Sequence, residues 1–163
     1  MPVRRWHDRL VPTILVVSHS QTGATDALVD ALVAGAHDDA IDDVNVVEVD
    51  ALQATADDVE AAALVVLATP ENFGYMSGAL KVFLDRAYHP LLEHEIRRPY
   101  QLIVKAGNDG TGAVAAVERI VAGLKWPAAR PPLVIVGDVT TDDLAALTER
   151  GMELAASVEM GLL

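Results

Sequence analysis

Five short apolar runs recur along the chain: "TILVV" (13–17), "VNVVEV" (44–49), "ALVVLA" (63–68), "QLIVKA" (101–106) and "LVIVG" (133–137). Each is far below the roughly 18 residues that a membrane-spanning helix needs. Their β-branched, uninterrupted character predicts strands buried on both faces, as in a parallel sheet. Helical periodicity fills the gaps between them. Leu28, Leu32 and Gly35 share a stripe with Val29, Val33 and Ala36. Ser77 is a capping residue ahead of Leu80, Phe83, Leu84 and Ala87, and Pro90 is expected to stop that helix. Residues 112–124 supply another helix. Thr140 and Asp143 have capping-box spacing before a last one. Strands alternating with helices predict βαβ units with right-handed crossovers.

The chain has 163 residues, which suits a single domain, and no repeat or linker divides it. The expected fold class is α/β: a three-layer α/β/α sandwich around a five-stranded parallel sheet in the order 2-1-3-4-5, over residues 13–163. Residues 1–12, "MPVRRWHDRLVP", carry arginines but no apolar h-region. They read as an N-terminal extension, not a secretory signal.

In that strand order, ligands bind beyond the carboxyl ends of the strands, at the switch between the first and third. The loops that follow the first, third and fourth strands then become neighbours. They read "SHSQTGAT" (18–25), "TPENFGYM" (69–76) and "GNDGTG" (107–112). The first opens a helix, whose amides and dipole attract an anion, and Ser20, Thr22 and Thr25 add hydroxyl donors. It has no Lys or Arg, so any phosphate would be held by neutral donors. A helix cap without a ligand is the competing reading. In the second loop, Phe73 and Tyr75 flank Gly74 and suggest a planar ligand, although Phe73 alone reads more readily as a core residue beneath the loop. The third is glycine-rich and can lie flat against a ring, or serve as an ordinary turn.

Other chemistries fit less well. The net charge of -12, from 12 basic and 24 acidic side chains, disfavours nucleic acid and anionic membranes as partners. The absence of cysteine removes disulfides, thiol nucleophiles and Cys-based metal sites, and is consistent with a cytoplasmic protein. "GTGAVA" (110–115) matches the dinucleotide fingerprint but follows the fourth strand, not the first. No Walker A lysine follows the first strand, and the strand ends lack the acidic residues of a response regulator. His89, Glu93, His94 and Glu95 read as a surface turn, not a metal site; His19, beside the first loop, could face a ligand there but reads more readily as facing solvent.

"SHSQTGATDALVDAL" resembles the flavodoxin phosphate loop, S/T-x-T-G-x-T leading into a helix. "ATPENFGYMSGALKVFLDR" is similar, over a longer stretch, to the second flavin loop of NAD(P)H-dependent FMN and quinone reductases. The chain thus resembles the flavodoxin-like superfamily from about residue 12 onward. The resemblance implies FMN as cofactor. Ser20, Gln21, Thr22, Gly23, Ala24 and Thr25 would surround the phosphate. Thr69, Pro70, Glu71, Asn72, Phe73, Gly74 and Tyr75 would line the isoalloxazine ring. Gly107, Asn108, Asp109 and Gly110 would close the other side. Ala24 departs from the Asn common in flavodoxins, so one side-chain contact is missing. No insertion near the last strand marks a long-chain flavodoxin. The flavin would carry the redox chemistry, so the resemblance names no catalytic side chain and no metal. It implies an oxidoreductase that uses NAD(P)H to reduce a quinone, another flavin or a similar acceptor. A flavodoxin-type carrier serving a redox partner protein, or a fold that has lost its cofactor, stay open, as does a homo-oligomer.

Overall fold

The computed structural model describes residues 10–163, so most of the expected extension, residues 1–9, lies outside the described residues. Five strands form a parallel sheet: β1 (Thr13–Ser18), β2 (Asn45–Asp50), β3 (Leu64–Asn72), β5 (Tyr100–Ala106) and β6 (Leu133–Val136). Their order is β2-β1-β3-β5-β6, the expected order counted over these five. A sixth strand, β4 (Tyr75–Met76), was not expected; it pairs antiparallel with the end of β3. The helices are α1 (Ala24–Ala36), α2 (Ala56–Glu60), α3 (Gly78–Glu93), α4 (Thr111–Gly123) and α5 (Thr141–Glu159).

Alternation along each central strand builds two cores. Leu15, Val17, Val65, Leu67, Leu102 and Val104 face α2, α3 and α4. Ile14, Val16, Leu64, Val66 and Ile103 face α1 and α5. Burial on both faces holds for β1, β3 and β5. The edge strands depart from it: Val47 on β2 and Val136 on β6 are exposed, because an edge strand is covered less completely than a central one. The α1 stripe is buried at Leu28, Val29, Leu32, Gly35 and Ala36. There α1 and α5 cross with their backbones in contact. A Cβ at Gly151 would lie 1.8 Å from the Leu32 carbonyl oxygen, and one at Gly35 would lie 1.9 Å from that of Thr148.

Pro90 does not stop α3. The helix continues to Glu93, because buried Leu91 anchors its last turn in the core. A proline forgoes one helical hydrogen bond, and that packing offsets the loss. The helix ends instead in a Schellman turn: Glu95 has φ 54°, Glu95 N–H donates to the Leu92 carbonyl, and Ile96 N–H donates to that of Leu91. Helix α4 ends the same way at Lys125 and Trp126, and the Trp126 indole N–H donates to the Ile96 carbonyl at 3.0 Å. Arg98 adds bonds to the carbonyls of Glu60 and Ala62. These contacts close the end of the sheet opposite the three loops.

The capping boxes behave as their spacing requires. Thr140 and Asp143 exchange side-chain and backbone hydrogen bonds at the start of α5, and Thr55 and Asp58 do so, unforeseen, at α2. The bonds from Thr140 hold the Asp143 carboxyl below the usual carboxylate range. A depressed carboxyl stabilises the fold above its unfolded pKa, and the contribution is lost as pH falls through its folded value. Asp143→Asn should therefore lower the melting temperature at pH 7 and by a smaller margin at pH 3, which lies below the ordinary aspartate value of about 3.9, so that loss of the contribution has begun. Melts at both pH values test this; an equal gap would show that the carboxylate charge contributes nothing.

Candidate functional site

Adjacency of β1, β3 and β5 brings the three loops together at the carboxyl end of the sheet. The His19 N–H donates to the Ala68 carbonyl at 3.2 Å, joining the first loop to β3. His19 is only partly exposed and its Nδ1 is buried without a hydrogen-bond partner, so the side chain does not simply face solvent.

In the first loop, Gly23 takes φ 88° as N-cap of α1, and a Cβ there would meet nothing within 4 Å. Ser20 Oγ accepts from the amides of Gly23 at 3.0 Å and Asp26 at 3.4 Å. Helix geometry leaves the amides of Ala24 and Thr25 without intrahelical acceptors. Gln21 and Thr22 are exposed, Ala24 is half-buried, and Thr25 is buried at the first turn. The result is an open helix end with neutral donors. Asp26 in the first turn adds a negative charge.

The second loop is a tight hairpin. Asn72 pairs with Tyr75 and Glu71 with Met76, which leaves Phe73–Gly74 as a two-residue turn. Both turn residues have positive φ, 52° and 72°, the type I′ pattern that matches strand twist. Phe73 is an uncommon occupant of that backbone conformation. The expectation that Phe73 packs into the core fails: its relative exposure is 108%. With β3 and β4 paired on either side of a two-residue turn, the ring has no path inward. At the base of the hairpin, buried Thr69 Oγ1 donates to the Pro70 carbonyl at 2.8 Å and accepts from the Ser77 N–H at 2.9 Å. Ser77 in turn caps α3 by accepting from the Leu80 N–H.

The hairpin is latched to the third loop. Glu71 Oε2 accepts from the Ala113 N–H at 3.2 Å, placing a carboxylate at the α4 N-terminus, where the helix dipole favours it. Gly112 lies directly under the turn, and a Cβ there would be 1.9 Å from the Gly74 carbonyl oxygen. Asp109 Oδ1 accepts from the Thr111 N–H and hydroxyl, and these bonds hold its carboxyl below the usual range. Gly107, Asn108 and Asp109 are exposed, while Gly110 is buried against Val134. The hairpin is therefore packed on the first turn of α4, beside the third loop. Gly112 is a structural residue that sequence reasoning missed. A glycine in the first turn of a helix, where it is a poor helix former, was the available signal.

Tyr75, expected beside the ring-lining residues, is half-exposed and lines a groove between α3 and α4. His89, Glu93, His94 and Glu95 are all exposed at the end of α3. Among the described residues, no group of three or more His, Cys, Asp or Glu side chains could hold a metal ion. No described helix is long and apolar enough to cross a membrane.

A model of the NADPH-dependent FMN reductase family matches residues 27–141, which include the second and third loops but not the first. No curated protein matches the chain. Among solved structures, a flavodoxin from the domain Archaea superposes with TM-score 0.77 at 18% identity, covering 90% of this chain and 99% of that one. A flavodoxin-like, WrbA-like protein from Agrobacterium tumefaciens gives TM-score 0.68 at 15% identity, covering 92% and 98%. Rubredoxin oxygen:oxidoreductase from Desulfovibrio gigas gives 0.77 at 12% identity, and there the chain spans only 38% of the longer protein. The sheet order and these superpositions together give the flavodoxin-like fold.

Proposed function

Because the chain belongs to the NADPH-dependent FMN reductase family, we propose that it is an FMN-binding oxidoreductase that takes electrons from NAD(P)H and passes them to a quinone, another flavin or a similar small acceptor. An FMN-binding flavoprotein is the level at which family and fold agree. The nicotinamide donor and the acceptor are the finer part of the proposal. The donor set fits FMN: an open helix end with neutral donors for the phosphate, and a hairpin beside a glycine-rich loop for the ring. When bound, FMN supplies the redox chemistry. The chain's own residues bind and orient it. Thr22, Thr25 and the amides of Ala24 and Thr25 would hold the phosphate, and the latched hairpin would carry one face of the ring.

The single observation that supports an enzyme is the latch. Glu71 and Gly112 fasten the second loop to the first turn of α4, beside the third loop, which favours one wall against the ring over two loops on opposite faces of it. A ring against such a wall has its other face free for a second planar ring. Anaerobic stopped flow tests this: NADPH or NADH is expected to bleach the bound flavin and to support turnover with a quinone. A flavin that neither nucleotide bleaches within minutes would remove the enzyme reading. The second reading, a flavodoxin-type carrier, draws on the charge of -12, which suits docking to basic partners. Small-molecule partners, no role for nucleic acid or membrane, and a cytoplasmic setting complete the proposal.

Thr22→Val and Thr25→Val are each expected to weaken FMN binding roughly tenfold to a hundredfold, the loss of one hydrogen bond to a charged group at about 1.5–3 kcal/mol. Riboflavin lacks the phosphate and should be affected much less. Equal losses for both flavins would take the phosphate away from the first loop.

A further inference from the structure

The groove beneath the hairpin shares only Tyr75 with the site described so far. It runs between α3 and α4 with a volume of about 300 Å³, at the lower end of the size of small-molecule sites. Tyr75 forms one end, next to the wall, and Tyr88 lies farther along. Tyr88 rests against bare backbone: a Cβ at Gly123 would lie 2.4 Å from its Oη. Lys81 and Arg119 line the groove together with Asp85. Lys81 pairs with Asp85, whose hydrogen bond raises the lysine pKa. Arg119 is exposed and makes no hydrogen bond or ion pair among the described residues.

This combination is unusual for a chain with twice as many acids as bases. On the opposite face, Arg130 and Arg150 are both taken up by Glu153 of α5. In the groove Lys81 is paired with Asp85, but Arg119 is left without such a partner, flanked by two aromatic rings. Tyrosine rings accept a planar base, an unpaired guanidinium binds phosphate in bidentate fashion, and a carboxylate accepts from ribose hydroxyls. We propose that this α3–α4 groove binds a phosphorylated adenosine, the end of a nicotinamide dinucleotide remote from its reactive ring, with Arg119 and Lys81 on phosphate and Tyr75 or Tyr88 under the base. Tyr75 is common to the groove and the hairpin, so one extended ligand can lie across both. The identity of the full ligand rests on the proposed function; the groove's preference for a nucleotide does not.

The test is calorimetric titration of the FMN-loaded protein with adenosine 2′,5′-bisphosphate. Saturable binding is expected, and Arg119→Ala should weaken it about tenfold or more, with a smaller loss for Lys81→Ala and unchanged FMN affinity in both. Both side chains are solvent-facing, so the variants should fold. Absence of saturable binding, or binding within twofold of wild type in both variants, would overturn the inference. If the nucleotide binds through Arg119 while NADPH fails to reduce the flavin, the groove stands and the reductase reading falls. If NADPH turns over with an unchanged KM in both variants, the groove inference falls and the reductase reading stands.

Discussion

Gly151→Val is expected to lower the melting temperature by roughly 6–12 °C, the equivalent of about 3 kcal/mol for a chain of this size. Inserting atoms into a packed contact usually costs about 1–3 kcal/mol, and here relaxation is poor. The obstacle is the Leu32 backbone carbonyl, 1.8 Å from the new Cβ, not the far end of a flexible side chain. Moving it means separating α5 from α1, which strips cover from Leu28, Leu32, Leu147 and Leu154. Gly35→Ala strains the same crossing, so the double variant should lose less than the sum of the two singles. Thermal and denaturant melts of the three variants decide it. A Gly151→Val protein that melts within 2 °C of wild type would mean the two helices are not in backbone contact.

Gly112→Val should weaken flavin binding about a hundredfold, or about 2.7 kcal/mol, with much of the fold intact. The new side chain meets the Gly74 carbonyl at 1.9 Å and lifts the hairpin from α4. The Glu71–Ala113 bond is lost with it, leaving a carboxylate and a helix amide without each other. Because the wall serves the ring, FMN and riboflavin should suffer alike. That pattern separates this variant from Thr22→Val, which spares riboflavin. Flavin fluorescence titrations read both. A folded Gly112→Val protein with normal affinity would show that the latch does not form the ring site.

Strand identity and order were legible because buried parallel strands have few other sequence solutions. The cap at Ser77 and the box at Thr140 were legible because their hydrogen bonds are local. What escaped was decided by distant partners. Pro90 has a local rule against helices, yet Leu91 packs into a core built from other elements and carries the helix past it. Phe73 reads as buried by residue type, and only the pairing of Asn72 with Tyr75 shows that its ring has nowhere inward to go. The role of Glu71 depends on Ala113, 42 positions away, and no spacing rule connects them. For the candidate site, the three loops were identifiable, but not that two of them are fastened together.

The closed end of the sheet has a consequence for motion. There Trp126, Ile96 and Arg98 interlock helix ends with strand starts through backbone carbonyls. At the other end, Gly107, Asn108 and the turn at Phe73 are exposed, and local opening there disrupts few buried contacts. Amide hydrogen exchange should therefore be graded along the strands of a single sheet. It should be slow at Leu102 and Val65 and fast at the loop rim. The rim can then adjust to what it holds while the floor keeps its shape, and slowed exchange on cofactor binding should be confined to the rim.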